Sequence, residues 1–189
     1  KIATGAVLFV IIPVFAPISG AHFDAAVGLV MASRGGLSWQ DTLAYTVVQI
    51  VGGCLGAVVA HLMFGLDLLQ LGSTARNGVG QWAGEFIATF GLIATILGCI
   101  AFRPKALATG VGLYITTAYW FTASTSFANP AVTIARSLSD TFAGIAPSDA
   151  PGFIVAELAG AFAAAILFGW LFAEPEPKSG KRAKAKAAK

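Results

Sequence analysis

The chain has 189 residues, of which 57% are hydrophobic and only 11% charged. A soluble domain carries about 25% charged residues, so this chain cannot coat itself with polar groups, and lipid is its expected solvent. The net charge of +3 comes from a basic C-terminal tail, and no nucleic-acid partner is expected.

Five apolar stretches follow one another, at residues 2–18, 42–64, 82–101, 106–123 and 153–172. Most approach the ~20 residues that a membrane-crossing helix needs. The links are turn-like: "SRGGLSWQD", "GLDLLQLGSTARNGVGQ", "FRPK" and "SDTFAGIAPSDAPG". Cys54 and Cys99 both fall in apolar runs and are read as packing residues rather than a disulfide. After "EPEP", Lys178, Lys181, Arg182, Lys184, Lys186 and Lys189 occur with almost no large apolar residue between them. Residues 174–189 are therefore expected to be a disordered basic tail on the cytoplasmic side, and residues 1–173 one transmembrane domain. Arg34, Arg103 and Lys105 fall on the same side under the positive-inside rule.

The chain matches itself. Asn129 minus Asp24 is 105, and at that shift "IATG" at 2–5 falls on "LATG" at 107–110, Ser19 on Ser124 and Ala26 on Ala131. Further on, "VVQIVGGCLGA" at 47–57 matches "IVAELAGAFAA" at 154–164. A repeat with an odd number of spans inserts its second copy upside down, the inverted repeat of many transport proteins. The first copy covers about residues 1–66 and the second about 81–173. The first lacks a counterpart of the 82–101 span, so a helix is expected to be missing ahead of residue 1. Reading residues 2–18 as a signal peptide would make their match to 107–123 an accident.

Each copy follows its second span with a broken piece, Asp24-Ala25-Ala26 in the first and Asn129-Pro130-Ala131 in the second. Asp and Asn are preferred N-caps, and Pro is favoured at the first helical position. Too little chain separates Ala123 from Phe153 for another crossing with its loops. Each half-helix must dip in and return, which is tolerated only where irregular backbone is buried or lines a wet cavity. Two inverted copies bring two positive helix ends together near the midplane, an arrangement that repels cations and offers hydrogen bonds to a neutral solute. Neither copy holds a Ser-His-Asp set, a metal cluster or a phosphate loop. No catalytic residue, metal or cofactor is expected, and the chemistry is selection rather than reaction.

The motifs "SGAHFDAAV" and "SFANPAV", with "AGEFIATFGL" and its Glu85, resemble the major intrinsic protein family, the aquaporins and aquaglyceroporins. The resemblance implies an all-α pore with two re-entrant half-helices, in a homotetramer with one pore per subunit. It assigns the narrow filter to Thr4, Thr117, Ser126 and Val132. The departures matter more. The family's usual arginine after the second motif is Val132 here, Thr117 replaces the histidine of water-selective members, and Thr4 replaces a bulky aromatic. Such a filter is expected to be wide and mildly polar, like that of relatives found beside bacterial arsenic-resistance functions, which pass neutral trivalent arsenic species. Asp24 replaces the first asparagine: it is another good cap, but when ionised it accepts hydrogen bonds only.

Arg136 lies nearly two turns beyond Asn129 and is read either as a vestibule charge or as a snorkelling residue that balances the helix dipole. His22 is read as a loop hydrogen-bonding residue or a pH sensor near the pore mouth. Glu85 and Glu157 lie within spans and are expected to satisfy re-entrant backbone N–H groups. The leading expectation is a passive channel for small neutral solutes, polyols or metalloid hydroxides, in a bacterial plasma membrane. The alternatives are a proton-coupled secondary transporter, which also binds at half-helix ends, and a non-conducting truncated relative.

Overall fold

The computed structural model describes residues 2–172, so the expected tail at 174–189 lies outside the described residues. The regular secondary structure of the described residues is all helical: α1 (Ile2–Ser19), α2 (Ala25–Ser33), α3 (Trp39–Met63), α4 (Val79–Phe102), α5 (Leu107–Phe121), α6 (Pro130–Arg136) and α7 (Ala150–Leu171), with a 3-10 turn at Pro104–Ala106 before α5. Four helices, α1, α3, α4 and α7, are long and apolar enough to cross a membrane. The fifth expected span is shorter than the apolar run that suggested it. At 15 residues, α5 rises about 22 Å, less than a ~30 Å hydrocarbon core. It ends at Phe121, and the chain turns back through backbone with positive φ at Thr125, Ser126 and Ala128.

Small residues set the packing. A Cβ on Gly5 would collide with the Gly112 carbonyl and the Thr116 side chain, and one on Gly112 would lie 2.7 Å from the Gly5 carbonyl and 3.3 Å from Phe9. Residue 5 therefore faces 112–116 while residue 9 faces 112, so α1 and α5 run antiparallel and nearly backbone to backbone. Bilayer helices gain most from such close approach, because lipid supplies no hydrophobic drive between them. Gly160 of α7 lies against the Phe86 carbonyl of α4 in the same way, and Gly53 of α3 brings α3 to Ala135 of α6.

The two halves of the chain match in order: a long helix, a loop, a short helix and a long helix. The short helices are inside the bundle. In α2, Ala25, Ala26, Gly28, Val30 and Ala32 are buried; in α6, Pro130, Ala131, Thr133 and Ala135 are. One core cluster joins Ile12, Leu92, Ile96, Val111, Ile115 and Tyr119, and a second joins Ala26, Val30, Ile93, Leu97, Ala161 and Ala164. Helix α4 has no counterpart in the first half among the described residues. A third of the most apolar stretch of α4 is buried (33%), and none of that of α3 (0%). Leu43, Val48, Leu55 and Leu62 accordingly lie open on α3.

Candidate functional site: a cavity between two half-helices

Both short helices begin as their sequences dictate. Asp24 Oδ1 accepts from the N–H groups of Ala26 (2.8 Å) and Val27 (3.1 Å). Asn129 Oδ1 accepts from Ala131 N–H at 2.9 Å, and Pro130 occupies the first helical position. Each cap satisfies N–H groups that a helix start otherwise leaves bare. Asn129 Nδ2 donates to the Phe23 carbonyl at 3.0 Å, which brings the two caps into one place although 105 positions separate them in sequence.

Side chains from the long helices hold the two entry loops. Glu85, fully buried on α4, accepts from Phe127 N–H (2.8 Å) and Ala128 N–H (2.7 Å). Glu157, fully buried on α7, takes the Thr133 hydroxyl of α6 at 2.6 Å. Gln49, its counterpart on α3, donates to the His22 carbonyl at 2.8 Å. Both carboxylates thus hold the second re-entrant segment, Glu85 through backbone N–H groups and Glu157 through a hydroxyl.

A cavity of about 300 Å³ runs between these parts. One wall is the stripe Thr4, Leu8, Ile12 and Ala16 of α1, another is Leu107, Val111, Ile115 and Tyr119 of α5, and a third is Leu92, Ile96 and Ile100 of α4. All three have the four-residue spacing that keeps side chains on one helix face. The re-entrant segments contribute His22, Phe23, Asp24, Val27 and Met31 from the first half, and Phe127, Asn129, Val132 and Arg136 from the second. The walls are apolar over most of their length, and the caps Asp24 and Asn129 place polar atoms between them.

Of the expected filter residues, Thr4 and Val132 line this cavity, and Thr117 and Ser126 do not. Thr117 follows Ile115 by two residues, about 200° around a helix. It is exposed on the far side of α5, and its hydroxyl donates to the Tyr114 carbonyl at 2.8 Å. Tyr119 reaches the cavity in its place. Ser126 is buried, and its hydroxyl has no hydrogen-bond partner among the described residues. The left-handed turn at Thr125 and Ser126 swings the next residue, Phe127, inward instead. His22 lines the cavity with its ring 5.3 Å from that of Tyr45.

One residue with no place in the sequence reading stands behind this wall. Arg76, in the loop between α3 and α4, is 5% exposed. It donates to the carbonyls of Gly144 (2.7 Å), Phe142 (3.0 Å) and Ser124 (3.1 Å), and its own N–H reaches Asp149. Its guanidinium lies 5.1 Å from the Phe127 ring centre. The only clue in the sequence is that Arg76 is the one cation in the link at 65–81. Nearby, the Ser73 hydroxyl and N–H hold the exposed Asp140 carboxylate below its ordinary pKa and tie the same loop to the one after α6.

The family model described as "Major intrinsic protein" matches residues 1–106 and again 98–188. Aquaglyceroporin AqpS of Rhizobium meliloti (strain 1021) is 52% identical over 176 residues, covering 93% of this chain and 76% of that protein. Aquaporin Z of Brucella melitensis biotype 1 is 30% identical over 167 residues, 80% of this chain and 72% of its own length. The glycerol uptake facilitator protein of Streptococcus pneumoniae is 29% identical over 125 residues, 54% of this chain and 53% of that protein. The twofold family match, the two capped half-helices and the cavity between them agree: the chain belongs to the major intrinsic protein family.

Proposed function

We propose that the chain forms a passive membrane channel for small neutral solutes of glycerol size, and that metalloid hydroxides such as arsenous acid are among them. The observation that carries this reading is a largely apolar cavity whose lining includes both half-helix caps, Asp24 and Asn129. Membership of a channel family, and relatives named for aquaglyceroporin and glycerol-uptake functions, support a channel for small neutral solutes. The finer part rests on Val132 and Thr4. Neither is bulky or charged, so a hydroxylated solute larger than water meets apolar wall and a few hydrogen-bonding stations, the usual balance of a conducting path.

The channel works by selection at fixed groups. Walls of Leu, Ile and Val give a passing solute nothing to hold it. Polar atoms at Asp24 and Asn129 replace part of its hydration at the midpoint, and two helix ends direct partial positive charge there. In the same reading the protein lies in a bacterial plasma membrane with its basic ends, Arg34, Arg103 and Lys105, toward the cytoplasm. The open apolar faces of α1 and α3 meet lipid or neighbouring subunits of a homotetramer.

Stopped-flow light scattering on proteoliposomes holding the full chain tests the reading. Glycerol and arsenous acid should each enter faster than into empty liposomes, without saturation and without response to an imposed pH gradient. Flux that saturates or follows the proton gradient would make the protein a coupled transporter, and entry at the rate of empty liposomes would sink the channel reading.

A further inference from the structure

We infer that Arg136 is the charge-selecting residue of this channel, mounted one helical turn outside Val132, so that charge and size are sorted at separate levels of one path. The inference rests on the channel reading and extends it to a residue the filter assignment left out. Both side chains line the cavity, and four residues of helix place Arg136 about 6 Å beyond Val132. Gly5 packs on Gly112 and Thr116, so Thr4 stands at the level of the last turns of α5, where Tyr119 is. Thr4, Tyr119, Phe127 and Arg136 therefore ring the same end of the cavity.

The guanidinium of Arg136 is held, not loose. Its Nη2 donates to the Tyr119 hydroxyl at 3.1 Å, and its centre lies 4.3 Å over the Phe127 ring and 5.9 Å from that of Tyr119. A snorkelling arginine would extend past the helix end to water; this one turns onto aromatic faces beside the path. Phe127 in turn carries the second guanidinium, Arg76, which is fixed by three carbonyls. Arg76 is a positioning residue: it immobilises the ring on which Arg136 rests and adds its own positive field from behind. A fixed positive charge in a narrow, low-dielectric mouth is a barrier to cations and none to neutral molecules. With Val132 leaving the cross-section wide, a charge set further out keeps a large-bore path closed to ions.

The test is the ratio of potassium to glycerol permeability in proteoliposomes of the full chain. Arg136→Leu should raise that ratio roughly tenfold or more, and Arg136→Lys should hold it near wild type. Adding Val132→Arg to Arg136→Leu moves the charge one turn inward, so potassium permeability itself should fall back toward the wild-type value. An unchanged ratio in Arg136→Leu overturns the inference while wild-type glycerol flux still upholds the channel. Should Arg136→Leu carry no glycerol, Arg136→Gln against Arg136→Lys decides: a raised ratio in Gln alone supports the role, and equal ratios overturn it. Arg76→Gln should raise the ratio less; loss of both fluxes together would make Arg76 a structural tie only.

Discussion

Asn129 and Phe23 are joined by a hydrogen bond of 3.0 Å from the side-chain amide of one to the backbone carbonyl of the other. The cap of the second half-helix thereby holds the loop that delivers the first. The same amide caps α6 through its oxygen, so the two jobs can be separated. Asn129→Ser keeps a capping oxygen and loses the cross-tie; Asn129→Ala loses both. Thermal unfolding in detergent should show Ser costing about 1 kcal/mol and Ala about 1 kcal/mol more, with glycerol flux falling in that order. A Ser variant as stable and as permeable as wild type would show that the tie does nothing.

Glu85 fixes the strained stretch before Asn129. Its two oxygens take the N–H groups of Phe127 and Ala128, where φ at Ala128 is +52°. Glu85→Ala would leave two buried donors bare, at roughly 1–3 kcal/mol each. Glu85→Gln keeps one acceptor, so it should lose about half as much. Unfolding midpoints of the three proteins check the order, and Gln no better than Ala would count against this division.

Much of this was legible in the residues. The repeat fixes where both half-helices start, because Asp and Asn are read as caps by their chemistry alone, and Asp24 and Asn129 cap α2 and α6. The cavity lining was less legible. Counting back from a motif assumes that the intervening loop has a fixed length and an extended path. Three residues at positive φ between Phe121 and Asn129 break that assumption. They send Ser126 into the core and Phe127 to the cavity, and helix phase then favours Tyr119 over Thr117. The role of Arg76 is not written in local pattern, because its partners lie 48 to 68 positions away.

Those two α5 residues give a direct comparison. Thr117→Val changes a side chain on the outside of the helix and should leave glycerol flux and the glycerol-to-water ratio at wild-type values. Tyr119→Ala opens the cavity wall and removes one of the holds on the Arg136 guanidinium, leaving its contact with Phe127, so it should raise flux of the larger solutes relative to water. Stopped-flow rates for glycerol and water on both variants check this; a changed ratio in Thr117→Val with none in Tyr119→Ala would restore Thr117 to the filter.

Asp24 differs from Asn129 in what it offers the solute. Its Oδ1 is used by two backbone N–H groups, and a carboxylate has no donor unless protonated. Asp24→Asn keeps the cap, since the two rank together, and supplies an amide N–H to the cavity. Any residual cation leak through the protein should fall, with solute flux retained. Conductance of planar bilayers and glycerol uptake on the same preparation measure both; a leak unchanged by the substitution would remove Asp24 from ion handling.

On the proposed channel reading, Val132 sets the size limit of the path. It lines the cavity on α6 directly after Ala131. Val132→Arg would set a long cation there, one turn from Arg136, where like charges repel by about 0.2–0.5 kcal/mol. That is small against the stability of a folded domain, so the variant should fold. The new side chain removes cross-section and adds donors that water satisfies more readily than a bulkier hydroxylated solute. Glycerol and arsenous acid entry should therefore drop roughly tenfold or more while water flux falls far less, since a polar contact and a size mismatch together reach about 1.4 kcal/mol with ease. Equal loss of all three fluxes would mean that Val132 does not set the size limit and that the narrowest level of the path lies elsewhere along it.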